Sequence, residues 1–173
     1  MCIRDSVIID RHESLSLLAA EILSHSFEIR YCSDKSLYKT GKGKILNIWR
    51  TDRLNGMASE KSIIVLGETC VSVPRIMPDS TVIIANAMNK EQMSVLTNVT
   101  GNVITCGNLI MDTVSYTSVT DDTVTVSFGR TFSTLSGKEI QPFEKPVYRY
   151  NDESVYSVLA VTALRVLLDD CGF

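Results

Sequence analysis

Residues 80–107 read STVIIANAMNKEQMSVLTNVTGNVITCG, and their pattern decides the fold. Thr81–Ala85 is a short β-branched run, long enough for a buried strand and too short for a helix. Asn86–Asn89 is a polar connection. Lys90–Leu96 then places Met93 and Leu96 three apart, with Val99 three further on, which is helical spacing. Asn102–Cys106 is a second β-rich run, closed by Gly107. Two buried strands joined by a helical crossover predict a parallel sheet of α/β type. Ligands of such sheets sit at the carboxyl ends of the strands, here near Asn86 and Gly107.

The flanking sequence repeats this grammar on the amino-terminal side and changes it on the other. Val7–Asp10 reads as a first strand and Ser14–Leu23 as a helix, with Leu15, Leu18, Ala19, Ile22 and Leu23 on one face. Phe27–Cys32, Ile45–Trp49 and Ser62–Leu66 read as further strands. Ser33–Lys44 is polar and basic and reads as a loop, and Thr51–Glu60 reads as a connection with a turn of helix. After Gly107, Thr113–Val119 and Thr123–Phe128 predict an antiparallel pair around Asp121-Asp122. Thr131–Leu135 extends that pair, and Glu139–Tyr148 runs extended past Pro142 and Pro146. Ser154–Leu168 predicts a closing helix, N-capped by Asn151 or Asp152 and followed by Gly172. The expectation is a three-layer α/β domain over residues 7–173: a mainly parallel sheet flanked by helices, plus an antiparallel extension. Met1–Ser6 reads as a leader outside that pattern.

Composition excludes several classes. The 173 residues suffice for one domain with a sizeable core. A net charge of −3 gives no electrostatic basis for binding nucleic acid or an anionic membrane. No apolar segment approaches the roughly 20 residues that span a bilayer. The five cysteines, Cys2, Cys32, Cys70, Cys106 and Cys171, show no Cys-x-x-Cys spacing. They read as core thiols of a chain in a reducing, cytoplasmic setting.

The candidate chemistry is sparse. The first strand–loop–helix stands where a phosphate-binding loop would stand. Such a loop needs glycines for close backbone approach, a lysine for the phosphates and a Ser/Thr for magnesium. Asp10–Ser16 (DRHESLS) offers neither glycine nor lysine, and it puts two acids where a polyanion would lie. Thr40-Gly-Lys-Gly-Lys44 is basic and glycine-rich, but it precedes a strand and matches no such spacing. Asp10, His12 and Glu13 are types that serve a metal or a general base, with His25 in another element. Ser14 and Ser16 lack a nucleophile-elbow pattern. Glu68, just past the strand 62–66, is placed for a magnesium-side carboxylate.

In order of elements the chain resembles the central domain of the Mur ligases, ATP-dependent enzymes that add amino acids to peptidoglycan precursors. Val7–Ile9 with Ser14–Leu23 resembles the family's first strand and P-loop helix. Pro78–Asn89 resembles the segment that ends in the family's Asn-Ala-Asp-Asp, and Val103–Gly107 resembles the strand after it. Asp112–Phe128 is similar to the antiparallel strands that come next. Glu144–Phe173, around Val155–Ala163, is similar to the closing helix. The run Ile104–Gly107 with Asp112-Thr113 also resembles short bacterial proteins of this kind, a likeness that assigns no function.

The resemblance implies an ATP and magnesium crevice, with Asn86 approaching the adenine. The departures cut the other way. Asp10–Ser16 replaces the Gly-rich loop. No Asp-His-Leu region lies between Glu68 and Pro78, and only Asn86-Ala87 of Asn-Ala-Asp-Asp survives. No stretch matches the carbamylated-lysine segment or the amino-acid-binding domain. Three readings follow: a non-catalytic Mur-ligase-like binding or accessory module linked to cell-wall metabolism; an ATP-dependent or other small-molecule enzyme using Asp10, His12 or Glu68; and a protein-interaction subunit that pairs with a true ligase or with itself through an exposed apolar face.

Overall fold

The computed structural model describes residues 4–99, 101–149 and 153–170. In chain order the elements are β1 (Arg4–Ile9), α1 (Ser14–Leu23), β2 (Phe27–Cys32), β3 (Leu37–Thr40), β4 (Lys44–Thr51), β5 (Ile63–Leu66), β6 (Val82–Asn86), α2 (Lys90–Leu96) and β7 (Asn102–Cys106). The chain continues through β8 (Val114–Val119), β9 (Thr123–Phe128), β10 (Phe132–Ser133), β11 (Glu139–Ile140), β12 (Phe143–Tyr148) and α3 (Val155–Leu167). Ten strands form one sheet in the order β12-β9-β8-β7-β6-β5-β1-β4-β2-β3. The seven from β8 to β2 are mutually parallel, and β9 and β12 continue the sheet from β8 as an antiparallel extension. This is the expected three-layer α/β architecture.

The central strands β5 and β6, and β1 from Ser6 onward, are buried on both faces, and their continuous apolar runs follow from that, whereas β2 and β4 leave Arg30 and Trp49 exposed. Ile8, Val65, Ile84 and Cys106 point to one face, where Leu15, Leu18 and Leu23 of α1 pack with Leu159, Leu164 and Leu167 of α3. Ile9, Ile64, Leu66, Ile83 and Ala85 point to the other. Among the described residues, that second face has the short helix α2, through Met93 and Leu96, together with Leu54, Met57, Cys70, Val73 and Met77 of the loops after β4 and β5. On this face two loops therefore do the work of a helix.

Several expectations are corrected. The segment 33–44 is not all loop: Leu37–Thr40 pairs antiparallel with β2 as the edge strand. All four of its residues are exposed, so no apolar alternation marks it. The segment 51–60 holds no helix. Thr131–Leu135 does not extend the antiparallel pair; Phe132–Ser133 pairs with Glu139–Ile140 in a separate two-stranded sheet. The partner of β9 is β12, with Phe128 and Phe143 stacked at 4.6 Å. The cap of α3 is Ser154, whose Oγ accepts the Ser157 N–H at 3.1 Å; Asn151, Asp152 and Gly172 lie outside the described residues. Arg4–Ser6 belong to β1, in register with Leu46–Ile48 of β4.

The glycine-rich stretch 40–44 is the turn between β3 and β4, at the amino end of β4 and thus opposite the carboxyl ends where a ligand would sit. Gly41 adopts φ +76°, and a Cβ there would lie 2.2 Å from the Phe27 carbonyl oxygen and 2.5 Å from that of Ser24. Its glycine serves backbone packing. Gly41→Ala is expected to destabilise the domain by about 1–3 kcal/mol in chemical denaturation, while Lys42→Ala leaves the midpoint unchanged. Equal, small effects would contradict this account of the turn.

Candidate functional site

The carboxyl end of β5 is held from both faces of the sheet. Its last residue and the two that follow, Leu66, Gly67 and Glu68, present three successive carbonyls, and each accepts a side-chain donor. The Tyr156 hydroxyl, at the start of α3, donates to Leu66. Gln92 Nε2 of α2 donates to Gly67 at 2.7 Å. Asn86 Nδ2 and Asn89 Nδ2 donate to Glu68 at 3.3 and 3.1 Å. Gln92 Oε1 also accepts the Asn86 N–H at 2.9 Å. Asn89 caps α2 by accepting the N–H groups of Glu91 and Gln92.

Asn86 is thereby engaged through both polar atoms of its carboxamide, because its Oδ1 accepts the Met88 N–H at 3.0 Å. It is 4% exposed. The structure places it at the strand end, as expected from the sequence, with its carboxamide joining β6 to the β5 loop. Glu68 sits beside it with an exposed side chain.

Asp10 follows β1 and packs over Gly67, where a Cβ would lie 2.7 Å from Asp10 Oδ1. That oxygen accepts the His12 N–H at 3.3 Å, and Oδ2 is buried with no hydrogen-bond partner among the described residues. Glu13 opens α1 in the left-handed region at φ 50° without a side-chain cap. Its Oε1 is likewise buried without a partner among the described residues, and Oε2 lies 3.8 Å from Lys35 Nζ. Two carboxylates thus occupy the place where a nucleotide-binding α/β domain offers glycine amides to a phosphate.

The other candidates do not join them. His12 is exposed and reaches Asp10 through its backbone alone. His25 Nδ1 lies 3.1 Å from the Ile22 carbonyl oxygen, at the far end of α1. Ser14 is exposed, whereas Ser16 is buried, donating to the Glu13 carbonyl and lying 2.8 Å from the Tyr31 hydroxyl. Among the described residues no three His, Cys, Asp or Glu side chains converge to hold a metal. The residues present do not fit a magnesium–triphosphate group.

Sequence reasoning missed the cleft next to this end. It lies between the loops after β4 and β5, has a volume of about 960 Å³, and is walled by Arg11, Arg53, Arg75, Cys70, Leu54 and Val73, among others. The two loops are laced together by Arg75 N–H to Asn55 O at 3.1 Å and Met57 N–H to Ile76 O at 2.9 Å. Buried Arg50 braces the mouth, with Nη1 2.5 Å from Asp34 Oδ1 and Nη2 donating to the Arg11 carbonyl at 2.9 Å and to Asp52.

Burial pushes the Cys106 thiol and the Tyr156 phenol up, Cys106 from its ordinary 9.0 and Tyr156 well above its ordinary 10.0. Burial also raises Cys70, so none of these groups is an activated nucleophile.

Comparison with known proteins comes down to fold. No family model and no curated protein matches the chain. Among solved structures, that of a UDP-N-acetylmuramoyl-L-alanyl-D-glutamate–2,6-diaminopimelate ligase is similar, at TM-score 0.55 and 12% identity over 100% of this chain. The chain spans 44% of that ligase's length. A Mur-ligase-like α/β fold is therefore established. No described helix is long and apolar enough to cross a membrane.

The raised thiol and phenol give a pH dependence of defined sign. The unfolded chain loses these protons near pH 9 to 10 while the folded chain keeps them. Stability is therefore full below about pH 9 and falls as pH rises, by up to about 1.4 kcal/mol per pH unit per group. Denaturant midpoints between pH 7 and 11 are expected to show this decline, less steep in Cys106→Ala. A slope unchanged by that substitution would contradict it.

Proposed function

We propose that this chain is a ligand-binding domain of Mur-ligase-like architecture that does not carry out ATP-dependent ligation. It acts as a binding or accessory module, and its fold lineage connects it to cell-wall metabolism. The observation that carries this reading is the pair of partly unpartnered carboxylates, Asp10 and Glu13, at the start of α1. A triphosphate there would meet negative charge in place of a lysine and backbone amides, and such preorganised positive clamps supply much of the rate in phosphoryl transfer. The engagement of Asn86 supports the same reading, because an adenine would have to compete with the hydrogen bonds that hold the sheet end together.

The accessory role draws support from a second feature. Leu109, Ile110 and Met111, on the loop after β7, are 56%, 96% and 63% exposed. Three consecutive exposed apolar side chains favour contact with another protein surface.

Phosphate release from magnesium–ATP is the test, using the purified chain with and without amino acids. No release above the protein-free control is expected, and Glu68→Gln should change nothing. Sustained turnover abolished by Glu68→Gln or Asp10→Asn would overturn the non-catalytic reading.

A further inference from the structure

We infer that the cleft between the loops after β4 and β5 binds a small phosphorylated molecule, one carrying at least two anionic phosphoryl groups on an apolar body. The inference deepens the binding-domain reading and rests on it. Three exposed arginines, Arg11, Arg53 and Arg75, wall one cleft. Among the described residues none of them makes an ion pair. The one carboxylate on the same wall, Asp52, is engaged by Arg50. The cleft therefore concentrates positive charge in a chain whose net charge is −3.

Arginine forks match phosphoryl oxygens two at a time, and three of them in one cleft exceed what a single monoanion can satisfy. The volume, about 960 Å³, is at the upper end of the range of small-molecule sites, roughly 300–1,000 Å³. Leu54, Val71, Val73 and Ile76 add apolar wall for the rest of the molecule. Cys70, also on that wall, keeps its proton and donates to the Ser72 carbonyl at 3.7 Å, so the site is one of binding and not of covalent capture. Its position also suits a ligand. The cleft opens outside the carboxyl ends of β1, β4 and β5, where the chain crosses from one side of β1 to the other. Arg50 braces this geometry by holding the Arg11 backbone and Asp52.

Calorimetric titration with sodium pyrophosphate, at constant ionic strength and without magnesium, tests the proposal. Saturable one-site binding is expected. It should weaken at least about tenfold in Arg53→Ala and in Arg75→Ala, and remain within about twofold in Lys35→Ala and Lys39→Ala, which remove the same charge elsewhere. All four positions are exposed, and circular dichroism confirms folding of each variant. No saturable binding at several millimolar would overturn the proposal, as would equal weakening by the lysine variants. Citrate binding more tightly through the same arginines would overturn the phosphoryl assignment. Turnover of magnesium–ATP bears on the non-catalytic reading alone, because pyrophosphate binding through these arginines is a separate readout.

Discussion

The structure depends on the capture of three consecutive carbonyls at the end of β5. Leu66 is held by Tyr156 from the face of α1 and α3, Gly67 by Gln92 from the face of α2, and Glu68 by Asn86 and Asn89 at the edge between them. A parallel strand that ends in the interior leaves polar groups without ladder partners, and each one left unmet costs about 1–3 kcal/mol. Gly67 O also accepts the Cys70 N–H at 3.0 Å, so the group that depends on Gln92 is the buried Asn86 N–H. Here both helical layers and the neighbouring strand are joined through these bonds. The second face needs this anchoring more than the first, since one short helix and two loops cover it.

The anchoring also shapes the chemistry. The groups that would otherwise face a ligand at β5 and β6 are turned into the structure, and Asp10 closes over Gly67. What stays open is the space one strand further along, between the loops after β4 and β5. There Arg50 binds the acidic groups and leaves the other arginines exposed. This end of the sheet is thus divided: carboxylates stand at the start of α1, and exposed arginines wall the adjoining cleft.

The sequence made the parallel core legible because strands buried on both faces are unbroken apolar runs. Ile63–Leu66 and Val82–Asn86 could hardly be read otherwise. Edge and surface strands carry no such mark, so β3 with its four exposed residues read as loop. Asn86 was legible as a polar strand end, but the partner that explains it, fully buried Gln92, lies in the first turn of α2 and looks like any helical glutamine. The arginine cleft was not legible at all. Arg11, Arg53 and Arg75 sit on three separate connections, and only the topology brings them together.

A double-mutant cycle of Tyr156→Phe and Gln92→Leu, read by chemical denaturation near neutral pH, tests the anchoring most directly. Each substitution removes one donor from adjacent carbonyls on opposite faces. Each is expected to destabilise the whole domain by about 1–3 kcal/mol, with a coupling of at least about 0.5 kcal/mol between them. Near-neutral single substitutions that add within about 0.3 kcal/mol would contradict the claim that the end of β5 ties the layers together.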